Sequence, residues 1–181
     1  SIGAGPGDIA YICPTHAHYD HAGGCHELLR LLREAGNKEA RIACSAKAAG
    51  YLQRQEVCEK LMVSGRATFG AKAGEMRAIS ADDFLVIEDG RELDLGGASV
   101  RAIDAPGHAN GHLVYEVAEG SLLFTGDACG LLGTEAGVGQ KVAPTAFAPE
   151  YRHDAYLATV EKIAAMGHER VCFAHYGLLE D

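Results

Sequence analysis

No run of apolar residues in this 181-residue chain approaches the roughly 18 that cross a bilayer as a helix, so membrane insertion is not expected. A lysine- and arginine-rich stripe is also missing. With 16 basic against 25 acidic side chains the net charge is -9, which suits a phosphate backbone poorly and argues against nucleic acid as a partner. The six cysteines (Cys13, Cys25, Cys44, Cys58, Cys129 and Cys172) include no CxxC pair and several lie in apolar runs. They read as reduced thiols of a cytoplasmic protein, packed as small hydrophobes. No charged-then-apolar leader precedes a small-residue cleavage site, so no secretory signal is visible. The chain opens at Ser1 without a methionine, and its natural start is expected upstream. Internal repeats and low-complexity tracts are absent as well.

What is present suits one globular domain. Hydrophobic residues make up 48% of the chain and charged residues 23%. The length supports one core and is short for two, so 1–181 is expected to be a single domain.

Residues 9–13 read as a short buried strand entering a loop at Pro14. Residues 27–35 carry leucines at helical spacing and end at Gly36-Asn37, a plausible stop. A strand is predicted over 41–44, a single helix over 46–62, and an irregular segment without a legible role over 64–74. Residues 84–87 and 99–103, with a turn at Asp89-Gly90, read as paired strands. A hairpin is predicted from 113–117 and 121–124 across Glu119-Gly120, then a helix over 154–166 and a strand over 171–173 that delivers His175. Strands mixed with helices indicate an α/β layered domain.

The segment Thr15-His16-Ala17-His18-Tyr19-Asp20-His21 packs three imidazoles and a carboxylate into one short loop. Gathering so many ionisable groups is costly without a counter-charge, and imidazole with carboxylate is a ligand set that suits zinc or iron. In an extended stretch His16 and His18 point to one side and grip one ion, while Asp20 and His21, after a turn, reach a second. Three further candidates lie at strand exits: His108 on the turn Ala105-Pro106-Gly107-His108, Asp127 in Thr125-Gly126-Asp127, and His175 in Phe173-Ala174-His175.

HxHxDH, a PGH turn, a TGD turn and a late strand-end histidine, in that order, resemble the metallo-beta-lactamase superfamily. The resemblance implies an αββα four-layer sandwich, with part of the first β-layer missing ahead of HxHxDH. It implies that His16, His18 and His108 hold a first metal, Asp20, His21 and His175 a second, and that Asp127 bridges them. Two divalent ions, zinc first and iron or manganese next, would supply a water-derived nucleophile, making hydrolysis the expected reaction and a small molecule the expected substrate. Asp20 is expected to orient the water or take a proton. A missing sheet edge is expected to be covered by upstream residues or another chain, a second copy included.

Other residues have plainer readings. His26, His153 and His168 lack motif context and read as ordinary surface or core groups, whereas His112 is expected to support the His108 turn by hydrogen bonding. Tyr19 and Tyr176 flank ligands and are candidates for pocket lining or packing. Cys129 reads as buried filler, and the glycine-rich stretch 130–139 as a rim or loop. Within the superfamily, Asp127 in a TGD turn resembles the thioesterase and lactonase branches, and His18 disfavours flavodiiron proteins. A hydroxyacylglutathione-hydrolase-like or lactonase-like esterase comes first. A persulfide-dioxygenase-like enzyme with one iron and a non-catalytic metal-stabilised module are the alternatives.

Overall fold

A computed structural model of the chain describes residues 3–117, 119, 121–135, 139–146, 149–175 and 177–180. Ser1, Gly120, Tyr176 and part of the stretch 130–139, all singled out above, lie outside the described residues. The chain forms two compact units, Ser1–Ile87 and Glu88–Asp181. Among the described residues no helix is long and apolar enough to cross a membrane.

The first unit is built on three parallel strands, β1 (Tyr11–Ile12), β2 (Arg41–Cys44) and β3 (Phe84–Val86), in that order across the sheet. Parallel neighbours need crossovers, and helices supply them. The short α1 (Tyr19–Ala22) and α2 (Cys25–Glu34) connect β1 to β2, and α3 (Ala46–Leu52) and α4 (Gln55–Phe69) connect β2 to β3. On α2 the buried residues Cys25, Leu29 and Leu32 recur at helical spacing, leaving Leu28 and Leu31 on the exposed face. The core they join contains Ile42, Cys44, Leu52, Cys58 and Met76. Gly36, at φ +93°, ends α2 in a conformation that favours glycine. Next to it, the Asn37 amide donates to the carbonyls of Pro6 and Ile9, while its oxygen accepts from the N–H groups of Glu39 and Ala40.

Two expectations in this unit need correction. Residues 46–62 do not form one helix, because Arg54 is extended (φ -109°, ψ 115°) between α3 and α4. The Leu52 carbonyl accepts from Ile79 N–H at 2.9 Å, a partner distant in sequence that carries no local signal. The segment 64–74 is not irregular throughout, since α4 continues to Phe69 and a 3-10 turn follows at Gly70–Lys72. Gly65 is the reason α4 fits there. A Cβ on Gly65 would fall 2.3 Å from the Tyr19 ring, so the helix approaches Tyr19 through a residue without a side chain.

The second unit holds a six-stranded sheet in the order β11-β10-β7-β6-β5-β4. Its strands are β4 (Glu92–Asp94), β5 (Ser99–Asp104), β6 (Leu113–Val117), β7 (Leu122–Gly126), β10 (Arg170–Phe173) and β11 (Gly177–Glu180). All neighbours are antiparallel except β7 and β10. Between β7 and β10 the chain forms a separate hairpin, β8 (Leu131–Glu135) with β9 (Gly139–Ala143), and the helix α5 (His153–Ala164). Ile163 of α5 packs with Ile103, Val114 and Leu123 of the sheet. The hairpin expected from 113–117 and 121–124 is present as β6 and β7. The pairing expected between 84–87 and 99–103 is not. Strand β3 pairs with β2, whereas β5 lies between β4 and β6. Strand β4 was invisible because only Leu93 of its three residues is buried, too little for an alternating pattern.

The glycines of α3 and α4 provide a matched test of this packing. Gly50 on α3 is exposed and a Cβ there would meet nothing within 4 Å, so Gly50→Ala should stabilise the chain by roughly 0.4–1 kcal/mol in chemical denaturation. Gly65→Ala should destabilise it by roughly 1–3 kcal/mol, because the Tyr19 ring must be displaced. Equal gains from both substitutions would refute the close approach of α4 to Tyr19.

Candidate metal centre

In the first unit the donors follow β1 directly. Pro14 is buried, His16 is fully buried, and its Nδ1 lies 3.1 Å from Thr15 Oγ1. His18 forms the N-terminal boundary of α1 in an extended conformation, and its carbonyl accepts from the N–H groups of His21 and Ala22. The turn expected after His18 is therefore one helical turn, and it brings His21 back over His16. Ring centroids are 4.4 Å apart for His16 and His18 and 4.2 Å apart for His16 and His21. Asp20 Oδ2 lies 3.6 Å from His21 Nε2, with the Asp20 side chain 32% exposed. Three imidazoles clustered around a fully buried ring offer nitrogen lone pairs that suit a bound cation.

In the second unit three strands set the donors on one edge. Strands β7 and β10 are parallel, and β5 runs in the same direction because β6 is antiparallel to both β5 and β7. The exits of β5, β7 and β10 therefore lie at the same end of the sheet, and they lead to His108, Asp127 and His175. Thr125 Oγ1 donates to the Cys172 carbonyl at 3.1 Å, tying β7 to β10 just before their ligands. Gly126 has φ +53°, which turns the chain so that Asp127 follows β7 directly.

The His108 turn is held against α5. Gly107 adopts φ +128°, and a Cβ there would fall 2.3 Å from Tyr156 N, so both conformation and space require glycine. Arg152 N–H donates to the Gly107 carbonyl at 2.8 Å, and Thr159 Oγ1 donates to the Pro106 carbonyl at 2.6 Å. His108 Nδ1 donates to the Thr145 carbonyl at 2.8 Å. A carbonyl only accepts, so this contact places a ring proton on Nδ1, and in the neutral ring the Nε2 lone pair faces Asp127.

That lone pair lies 3.3 Å from Asp127 Oδ2, and His175 Nε2 lies 3.4 Å from Asp127 Oδ1. The carboxylate thus has an imidazole nitrogen at each oxygen, in a side chain only 5% exposed. A nitrogen lone pair opposite a carboxylate oxygen is repulsive unless a proton or a cation lies between them. The donor set therefore fits metal ions.

Each unit gathers its share of the candidates: His16, His18, Asp20 and His21 in the first, and His108, Asp127 and His175 in the second. The His112 ring, expected to support the His108 turn, instead braces the Asp127 backbone. Fully buried, it accepts from Asp127 N–H at Nε2, 3.2 Å away. Thr145 escaped sequence reasoning. Its carbonyl fixes His108 and its hydroxyl donates to the Asp127 carbonyl at 2.6 Å, so one buried residue braces two ligands, with no motif around it. His153 contacts the Tyr151 hydroxyl and His168 contacts Glu116, as befits ordinary polar side chains.

Four of the cysteines are poor nucleophiles. Burial pushes the Cys13 thiol up to about 11 and those of Cys25, Cys44 and Cys129 up to about 12. Cys129 packs against the core containing Ile103 and Ile163, which bears out its reading as filler. Among the described residues no cysteine forms a disulfide.

The family model described as "Metallo-beta-lactamase superfamily" matches residues 1–175. A metallo-beta-lactamase fold-containing protein of Sulfurisphaera tokodaii is 30% identical over 94% of this chain and 62% of its own length. Its crystal structure superposes with a TM-score of 0.76 over the same shares of the two chains. A hydroxyacylglutathione hydrolase of Rhodospirillum rubrum is 31% identical over 66% of this chain and 33% of its own length. An acyl-coenzyme A thioesterase of Bos taurus is 26% identical over 62% of this chain and 39% of its own length. The chain thus spans under two thirds of the length of each of these relatives.

Two outcomes test this geometry. Gly107→Ala should destabilise the chain by roughly 1–3 kcal/mol and reduce bound metal in elemental analysis, because the His108 turn can no longer lie against α5. Metal content equal to that of the parent would mean that His108 is not held as described. Separately, only the thiolate is alkylated, so raised thiol values predict that iodoacetamide at pH 8 modifies Cys13, Cys25, Cys44 and Cys129 slowly in the folded chain and fully after denaturation, as read by mass spectrometry.

Proposed function

The chain belongs to the metallo-beta-lactamase superfamily, and from that membership we propose that it is a dinuclear metal hydrolase acting on an ester-type bond of a small molecule. Its fold is the metallo-beta-lactamase fold, the α/β class anticipated from the order of the motifs. The observation that carries the proposal is the buried Asp127 carboxylate with an imidazole nitrogen 3.3 Å from one oxygen and 3.4 Å from the other.

In this proposal His16, His18 and His108 would hold one ion and Asp20, His21 and His175 the other, with Asp127 available to both. The ions are divalent, with zinc favoured by the imidazole-rich set and iron or manganese compatible with it. When bound, they acidify water toward a nucleophile at neutral pH and polarise the oxygen of the bond being cut. The surrounding residues keep the donors fixed and correctly protonated. The Thr145 carbonyl holds the proton on His108 Nδ1, so that Nε2 faces inward. His112 and Thr145 anchor the backbone of Asp127 through its N–H and its carbonyl. Asp20, the most solvent-accessible carboxylate of the set at 32%, is placed to accept a proton during attack and pass it to solvent. A thioester or lactone bond is favoured, in keeping with the hydroxyacylglutathione hydrolase and acyl-coenzyme A thioesterase among the relatives.

Elemental analysis of the purified chain should find two transition-metal ions per molecule. His18→Ala should lower metal content and reduce thioester or lactone hydrolysis by at least about 100-fold, in line with the effect of losing a metal ligand or its support. One iron per chain would point instead to the persulfide-dioxygenase-like chemistry. Metal and turnover both retained in His18→Ala would remove the ligand assignment.

A further inference from the structure

The first unit contains a cleft of about 810 Å³ that begins at Asp20 and extends over residues the chemistry above does not use. One wall is aromatic. Tyr19 and Phe69 both line it, with ring centroids 6.1 Å apart, and the Tyr19 hydroxyl donates to the Gly74 carbonyl at 2.9 Å, which holds that ring in place. Phe69 stays 43% exposed at the end of α4. Part of the floor is backbone, contributed by Gly23, Gly24 and Gly74, so the space is not filled by side chains. Volumes of a few hundred to a thousand Å³ with mainly apolar walls suit small organic ligands.

The rim is charged, but its cations are already paired. Arg30 is bonded to Glu27 at 2.7 Å and also to Glu34, while Arg77 is bonded to Glu75 at 2.6 Å. The side-chain hydrogen bonds from Arg30 and Arg77 hold the Glu27 and Glu75 carboxyls below the usual carboxylate range, so both stay ionised at neutral pH. Asp20 is assigned to the metal, which leaves two carboxylates and two guanidinium groups in the lining, each engaged with an opposite charge, beside the His26 imidazole. A charged ligand of either sign therefore meets no uncommitted opposite charge from these carboxylates and arginines.

We infer that this cleft seats the uncharged, apolar acyl portion of the substrate, with its reactive end toward Asp20. The inference rests on the hydrolase proposal and narrows it. Acyl chains without charge are favoured, and an anionic acyl chain, such as that of a dicarboxylate ester, is disfavoured in the cleft.

The test uses the purified, metal-bound chain and two readouts. With p-nitrophenyl esters of two to ten carbons, kcat/KM should rise with acyl length, and the ratio of eight- to two-carbon values should fall by about tenfold in Phe69→Ala as apolar contact is lost. The parent chain contains no tryptophan, so Phe69→Trp introduces a single fluorescent reporter in the wall. Its emission should shift to the blue on titration with octanamide, an uncharged probe that is not an ester, and less with octanoate or octylammonium at equal concentration. A blue shift in a chain that hydrolyses no ester would support the cleft and refute the hydrolase proposal. Ester hydrolysis that ignores acyl length, with no response to octanamide, would overturn the cleft assignment alone. Stronger binding of octylammonium or octanoate than octanamide would overturn the uncharged-ligand assignment.

Discussion

The second unit is organised around a carboxylate that has lost most of its water and faces imidazole nitrogens on both sides. Asp127 and His108 are both buried, and in such surroundings a lone pair opposite a carboxylate is tolerated only with positive charge between them. Every nearby feature serves to hold that arrangement. Gly126 turns the chain after β7, Gly107 allows the preceding turn to lie on α5, and Thr145 braces both ligands from a single position. The common direction of β5, β7 and β10 brings three side chains to one edge of a sheet although nearly seventy residues separate them in sequence.

The first unit meets a similar demand differently. Its four donors come from a single loop, and the element that arranges them, α1, is only four residues long. One turn of helix has little stability of its own, because nucleation fixes several residues for a single hydrogen bond. The position of His21 therefore depends on what packs against α1, and Tyr19 provides that packing. Its ring lies on Gly65 of α4 and its hydroxyl reaches the Gly74 carbonyl. A residue placed between ligands thus acts first as an anchor.

This explains how much could be read from the chain. HxHxDH was legible because its donors are local, and the strands delivering His108, Asp127 and His175 were legible because β7 and β10 carry short apolar runs and β5 carries Val100, Ala102 and Ile103. The helix over 27–35 was legible from apolar residues at helical spacing, and the strand over 41–44 from a short apolar run. The break at Arg54 was not, because it depends on a hydrogen bond from Ile79, and the segment 64–74 was not, because its meaning lies in a contact with Tyr19. Thr145 was hidden for a related reason. A single threonine gains its role only when a carbonyl and a hydroxyl meet two distant ligands.

The same distinction separates the metal chemistry from the cleft that adjoins it. Metal ligation needs particular donor atoms in a narrow geometry, so it leaves a dense signature in the sequence. A cleft for an uncharged chain needs only space, an aromatic wall and the absence of unpaired charge, requirements that many combinations of residues satisfy. Here they are met by ring carbons of Tyr19 and Phe69, by glycine backbone, and by two arginines whose charge is taken up by neighbouring glutamates. Composition alone would count those arginines as an attraction for anions. Only the pairing of each with a carboxylate reverses that conclusion, which is why the nature of a substrate is encoded less in which residues a chain contains than in which of them already have partners.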